Sequence, residues 1–279
     1  MVRFSLIAVA AALMVLNPAG QPGSYLQKYH ETVEEFRTEI TSEEQVLSRR
    51  VERAFATAGA DAPVVDPNIS AACRRLCKVL DCSQVQGSAA FEPQTIQFTL
   101  RRFGVTDSFF FPVVASVRGS ADAGDLLEGM VAESLAPLGV NRYGLALDEE
   151  TGMLAAVFTR RLAQLGPFPM SAQPGTTHLL WGGLEEGASN AVFILSTPDE
   201  ALFQVTPKSS RGIFWTEVYF PEQEGKYLME VLVQSDGPQV AALFPVYVGV
   251  PMPERPVFKL YPGLAEDATV GEMERQALY

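Results

Sequence analysis

The sequence predicts an α+β protein in which a helix-rich α+β unit is followed by an immunoglobulin-like β-sandwich. Apolar residues recur at helical spacing through much of residues 24–165, which is the periodicity of amphipathic helices. Residues 170–250 instead contain about six short apolar strands separated by turns, without helical segments, and this is typical of a sandwich. The composition changes at the prolines of residues 167–169.

Residues 1–22 have the pattern of a signal peptide. Arg3 supplies a positive charge, and residues 4–16 form an unbroken apolar run of about 13 residues. That length suits a signal sequence and is short of the roughly 20 residues that span a membrane. We therefore expect a secreted, periplasmic or cell-surface protein with no transmembrane span after signal cleavage. The alternative is an uncleaved N-terminal anchor.

Residues 24–68 predict two N-terminal helices and a connector that contains prolines. The helical pattern is interrupted at residues 41–44, where Ser42 and Gln45 fit a capping box. Gly59 then ends the second helix.

Residues 69–166 predict helices packed on a small sheet, an α+β or three-layer unit. Its expected elements are a helix over 70–80 capped by Asn68 or Ser70, a helix over 93–103, a strand over 109–117, a helix over 122–138, and a hairpin of strands 143–147 and 154–159. Consecutive residues of a strand point to opposite faces, so Phe109, Phe110 and Phe111 require cover on both faces. We expect this strand to be central in the sheet.

The sandwich is expected over residues 170–250, which should fold alone. Its strands are predicted over 176–182, 190–197, 201–207, 212–220, 225–235 and 239–250. Pro245 within the last strand predicts an edge or a bulge. Trp181 and Trp215 lie in apolar strands, so we expect both to be mostly buried and one to enter the inter-sheet core. Residues 251–279 predict a proline-rich linker and the start of a helix, as in a chain cut before another domain.

The net charge of −12 restricts the classes of partner. An acidic chain repels phosphate backbones, so nucleic acid is not an expected partner. We expect an unknown protein or an envelope polymer instead.

The three cysteines, Cys73, Cys77 and Cys82, form a possible disulfide whose pairing the sequence leaves open. An exported chain meets an oxidising compartment, which favours one disulfide and one free thiol. Three buried thiols are the second possibility, and a metal or redox site is the third. The spacing differs from zinc, haem and iron–sulfur signatures, so we expect no metal and no cofactor.

Motifs of catalysis are absent from the sequence. It contains no nucleophile elbow, zinc-protease motif, P-loop or dinucleotide fingerprint. Its two histidines, His30 and His178, lie beside no nucleophile or ligand motif. Adjacent acids at 148–150, 185–186 and 199–200 have the pattern of solvated turns. The alternative function is an exported hydrolase with two inward-facing acids about 5–10 Å apart in a cleft.

Residues 125–160 resemble the closing helix and hairpin of CAP-superfamily domains, the cysteine-rich secretory and pathogenesis-related type. In that family a helix leads into a glycine-rich strand, a turn and a return strand that ends in an aromatic residue, here Phe158. The order of parts, with residues 272–278 at the end, is similar to the N-terminal half of long secreted bacterial CAP-domain proteins. The resemblance implies that the family's site lies beyond Tyr279. We expect an exported, non-enzymatic interaction or presentation module that precedes a CAP domain.

Overall fold

The computed structural model describes residues 40–79 and 93–253. These residues form a four-stranded sheet covered by helices, followed by a β-sandwich of one four-stranded and one five-stranded sheet. The expected signal peptide, the first N-terminal helix up to residue 39, Cys82, and the chain beyond Pro253 lie outside the described residues. Within the described ranges, every helix is too short or too polar to cross a membrane.

The first unit follows the chain order that the sequence predicts, with one short extra strand. Its elements are α1 (Ser42–Thr57), β1 (Val64–Val65), α2 (Pro67–Val79), α3 (Pro93–Arg102), β2 (Phe109–Ser116), α4 (Ser120–Met130), β3 (Arg142–Asp148) and β4 (Met153–Arg160). A π-helical turn (Val131–Leu135) and a 3-10 turn (Ala136–Leu138) continue α4, so the long helix expected over 122–138 changes its winding at Val131.

The expected central position of the strand of three phenylalanines is wrong. The sheet order is β1-β3-β4-β2, so β2 is an edge strand that pairs only with β4 among the described strands. Phe110 nevertheless packs on the cluster on one face of the sheet, whereas Phe109 and Phe111 pack on the cluster on the other face. Cover on both faces therefore does not require a central position.

Helices cover both faces of this sheet. On one face, α2 and α3 pack against alternate residues of β3 and β4, among them Ala146 and Ala155. On the other face, α1 and α4 pack against Tyr143, Leu145 and Phe158. The unit thus has three layers, and two separate apolar clusters hold them together.

The residues that begin α1 and α2 differ from those that the sequence indicates. Thr41, rather than Ser42, is the N-cap of α1, and its hydroxyl accepts the N–H of Glu44 while the Glu44 carboxylate accepts the N–H of Thr41. Asp66, rather than Asn68 or Ser70, caps α2, because its carboxylate accepts the N–H groups of Asn68 and Ile69. The shifts from Ser42 to Thr41 and from Asn68 to Asp66 are one and two residues, which is common at helix ends, whereas Ser70 lies inside α2.

The sandwich contains all six expected strands and three short ones that the sequence did not indicate. Its strands are β5 (Ala163–Leu165), β6 (Ser171–Ala172), β7 (Thr177–Leu184), β8 (Ser189–Ser196), β9 (Leu202–Val205), β10 (Lys208–Ser210), β11 (Ile213–Tyr219), β12 (Gly225–Gln234) and β13 (Pro238–Val248). The sheets have the orders β10-β11-β7-β5 and β6-β13-β12-β8-β9. They share one apolar core, in which the rings of Phe193 and Phe214 are 5.6 Å apart.

Strand β5 precedes the boundary that the composition indicates. It pairs with β7, and Ala163 is buried in the sandwich core. A fragment that begins at residue 170 would therefore lack part of the smaller sheet. Independent folding of residues 170–250 stays a prediction.

Both tryptophans lie outside the inter-sheet core. Trp181 of β7 is directly opposite Trp215 of β11, and both are only partly buried. Their neighbours Leu180 and Phe214 are fully buried and take the inner face. Trp181 instead packs over Gly166, where an added Cβ would lie 2.0 Å from its ring. The alternation of the strands thus corrects the expectation that one tryptophan enters the core.

A short segment of the first unit completes one edge of the larger sandwich sheet. Asp107 forms a bridge with Ala242 of β13, and the N–H of Leu243 donates to Thr106 O at 2.9 Å. Further along the same edge, the N–H of Tyr247 donates to Met170 O at 2.9 Å. The expected edge or bulge at Pro245 is not found, because β13 has a neighbour on each side and its register shift lies elsewhere. Pro245 instead lies between these two donors, at a position where no described residue pairs with it on that side, so its missing N–H breaks no ladder.

Candidate interaction surface

Strand β9 is the opposite edge of the same five-stranded sheet, and it is open. Within the described ranges it pairs with β8 alone. All four of its residues are exposed, and the exposed fractions of Leu202, Phe203 and Val205 are 70%, 53% and 40%. Large apolar side chains are rarely left together on the surface of a folded protein unless they meet a partner.

The register with β8 explains why these side chains are exposed. Phe203 is opposite Leu195, and Val205 is opposite Phe193. Residues directly opposite in an antiparallel pair point to the same face, and Leu195 and Phe193 belong to the core. Phe203 and Val205 therefore extend the inner face of the sheet past the area that the other sheet covers.

The backbone of β9 also offers hydrogen-bonding groups. The N–H of Thr197 donates to Ala201 O at 2.9 Å, which makes Ala201 a residue that bonds towards β8. In an antiparallel pair, alternate residues direct their N–H and C=O groups to opposite sides. Leu202 and Gln204 thus direct theirs away from β8, as a template for another strand.

Charged side chains flank β9 along the chain. Asp199 and Glu200 precede the strand, whereas Lys208 lies in β10 of the smaller sheet and Arg211 follows β10, and all four are exposed. The Thr197 hydroxyl donates to the Asp199 carboxylate, and this hydrogen bond lowers the pKa of Asp199.

The structure contains Cys73 and Cys77 as buried free thiols on α2. The Sγ atoms lie 3.4 Å from Gly144 O and 3.4 Å from Met153 O, respectively. Burial raises the pKa of Cys73 well above its ordinary value and raises the pKa of Cys77 to about 12. Both thiols are therefore protonated at neutral pH and are poor nucleophiles. Any pairing that involves Cys82 stays a prediction.

One pair of buried acids lies at the junction of the two units. Arg161 donates to Asp66 at 2.7 Å and to Asp107 at 3.0 Å, and the Thr159 hydroxyl donates to Asp107 at 2.8 Å. Burial by itself would lower the pKa of Arg161, but the carboxylates of Asp107 and Asp66 outweigh it and raise that pKa. The guanidinium forms ion pairs with both carboxylates. Asp66 and Asp107 therefore help to join the two units and do not form an acid–base pair.

A groove lies elsewhere, between the end of α1 and the π-helical turn. Its volume is about 830 Å³, and Glu128 is the acidic residue in its lining. Arg50 hydrogen-bonds this carboxylate and thereby lowers its pKa. In the part of the chain that the structure describes, no group of three or more histidine, cysteine, aspartate or glutamate side chains is arranged to hold a metal ion.

Two of the other acids singled out in the sequence, Asp148 and Glu185, have structural partners. Asp148 accepts the N–H groups of Glu150 and Thr151 within its hairpin turn. Glu185 forms an ion pair with Arg142 at 2.8 Å.

His178 packs against Phe168 and Phe220. Burial lowers the pKa of its imidazole. His30 lies outside the described residues.

The sequence predicts strand β9 but does not predict that its side chains are exposed. The letters Leu-Phe-Gln-Val predict a strand, and the same letters would suit a strand buried in the core. The only local signals were the acids before the strand and the polar residues after it.

Comparisons with known proteins give no family. No protein-family model and no curated protein matches the chain. Among solved structures, it is similar to the Lin-41 filamin domain, with 19% identity over 32% of this chain and 92% of that chain and a TM-score of 0.27.

Two further solved structures are similar over a comparable share of the chain. One is a chitin-binding domain from Burkholderia pseudomallei, with 7% identity over 28% of this chain and 55% of that chain and a TM-score of 0.22. The other is a mutant of Salmonella alpha-2-macroglobulin, with 19% identity over 33% of this chain and 7% of that chain and a TM-score of 0.26. At these TM-scores the likenesses carry no argument about activity, ligand or partner.

Proposed function

We propose that this chain is an exported, non-enzymatic interaction module that binds a partner protein through strand β9. The observation that carries the proposal is the open edge itself, which combines exposed apolar side chains with outward-facing backbone groups. Addition of a strand to such an edge is a common mode of protein recognition, because main-chain hydrogen bonds supply affinity and side chains supply specificity. In finer terms, the protein is a helix-rich α+β unit that presents an immunoglobulin-like sandwich.

The place of action is part of the same proposal. The apolar run of residues 4–16 supports export to the periplasm, the cell surface or the medium. The similarity of residues 125–160 and 272–278 to long secreted CAP-domain proteins supports a position before a CAP domain. The module would then present that domain to a partner bound at β9.

Site-specific photo-cross-linking in the cells that export the protein tests this function. A photoreactive amino acid is placed at Gln204, whose backbone faces away from β8, and at Glu217 of β11 as a matched control. Both positions are exposed, and both belong to the sandwich. We expect a cross-linked protein adduct from position 204 and none from position 217.

Two outcomes would overturn the proposal. Equal adduct yields from both positions would show that β9 has no preferred partner. Recovery of the chain with Met1 intact inside the cell would refute export.

A further inference from the structure

We propose that the partner strand at β9 is β9 of a second copy of this chain, paired antiparallel about a two-fold axis at Gln204. The inference rests on the proposed role of β9 and names its occupant. The pairing would join two five-stranded sheets into one continuous sheet. The hydrogen-bonding pattern and the side-chain complementarity each favour a second copy.

The hydrogen-bonding pattern fits a two-fold axis at Gln204. An antiparallel pair that is symmetric about an axis perpendicular to the sheet places one residue opposite itself. Gln204 directs its N–H and C=O away from β8, so two copies of Gln204 can exchange both of their backbone hydrogen bonds. Leu202 directs its backbone groups to the same side and falls opposite Thr206 of the second copy, which extends the ladder.

The side chains on the inner face are complementary in the same register. With Gln204 on the axis, Phe203 falls opposite Val205 of the second copy, and this contact occurs twice. Both side chains extend past the cover of the smaller sheet and are exposed in the single chain. Pairing therefore buries the apolar surface that the fold leaves open, and an aromatic residue opposite a β-branched one is a favourable cross-strand pair.

The remaining edge of the five-stranded sheet favours a closed dimer over a filament. Strand β6 has only two residues, and segment 106–108 of the first unit covers the neighbouring part of β13. Among the described residues, pairing at β9 therefore uses the longer open edge of that sheet in each copy, and the assembly closes at two chains.

Sedimentation analysis of the exported full chain across a range of concentrations tests this inference. We expect a reversible monomer–dimer equilibrium. Gln204→Pro removes the outward N–H while leaving the β8 ladder intact, so it should weaken the dimer by roughly tenfold or more. Phe203→Lys should have the same effect. Tyr219→Lys is the matched control, because Tyr219 is a similarly exposed aromatic residue (55%) on the other sheet, and it should leave the equilibrium unchanged.

The outcomes separate this inference from the proposed function. A chain that stays monomeric while position 204 cross-links to a different protein overturns the dimer and leaves the interaction module intact. A monomeric chain without any adduct from position 204 overturns both. A dimer that survives Gln204→Pro and Phe203→Lys uses another surface and overturns the inference.

Discussion

The thiol of Cys73 donates to the carbonyl oxygen of Gly144 across 3.4 Å, and no side chain separates α2 from β3 at this point. A Cβ added to Gly144 would lie 2.2 Å from the backbone nitrogen of Ser70. Helix and strand thus touch through their main chains, and only glycine permits this distance. This close contact holds the layer formed by α2 and α3 against the sheet.

We expect Gly144→Ala to destabilise the protein by about 1–3 kcal/mol or more, because α2 must move away from the sheet. Urea denaturation measures the change in the free energy of unfolding. Gly183→Ala is the matched control, since Gly183 also lies in a strand and an added Cβ meets nothing within 4 Å. Equal effects of the two substitutions would contradict the close approach.

Cys73 and Cys77 should resist alkylation in the native protein and react after denaturation. Both are buried, and burial raises the pKa of Cys77 to about 12, so the reactive thiolate is scarce near neutral pH. Peptide mapping after brief treatment with iodoacetamide at about pH 8, with and without urea, locates the modified residues. Rapid native labelling of Cys77 would show that this side of α2 opens to solvent.

Arg161→Met should destabilise the protein by about 3–5 kcal/mol, because it leaves Asp66 and Asp107 buried without their cation. The comparison is Arg142→Met, which removes the half-buried ion pair with Glu185 and should cost about 1 kcal/mol or less. Thermal unfolding of both variants under one buffer condition decides between them. Similar losses would mean that the junction tolerates two unpaired acids.

The stability of the protein should fall as the pH drops below the ordinary His178 pKa of 6.5. Burial lowers this pKa in the folded state, so below about 6.5 the unfolded chain binds more protons and gains stability relative to the folded chain. The full contribution of neutral His178 is present above the unfolded pKa. It is lost as the pH falls through the folded pKa.

His178→Phe keeps a ring between Phe168 and Phe220 but cannot be protonated. Its urea midpoint should depend less on pH between about 7.5 and 5 than that of the wild type. The two proteins share every other titratable group, so the difference isolates His178. Identical pH profiles would show that burial of His178 does not affect folding.

Local patterns predicted most of the regular elements but not their places in the sheets. The turns at 148–152 and 236–238 are short and rich in turn-forming residues, so the β3–β4 and β12–β13 hairpins could be foreseen. Strands β5, β6 and β10 have two or three residues, which is too few to show an alternation. Whether β2 is a central or an edge strand depends on which strands pair with it. The residues of β2 do not specify that it pairs with β4 alone among the described strands.

Local patterns also do not predict which side chains of the sandwich strands face the core and which are exposed. The alternation of β7 and β11 could not be assigned in advance, because Trp181 is followed by two glycines that fit either face. The exposure of Phe203 depends on how far the smaller sheet extends across the larger one. That distance is a property of the assembled sandwich, and no pattern within residues 202–205 encodes it.

The pairing of segment 106–108 with β13 joins parts of the chain that are far apart in sequence. Ser108 and Val240, which are hydrogen-bonded at this junction, are 132 residues apart in the chain. Contacts of such long sequence separation close late, whereas residues 106–108 are synthesised well before β13. We infer that the first unit folds before β13 and that β13, the last strand of the sandwich, then pairs with segment 106–108 of that unit. A defect in that unit would delay maturation of the sandwich, measurable as late protection of the β13 amides from hydrogen exchange.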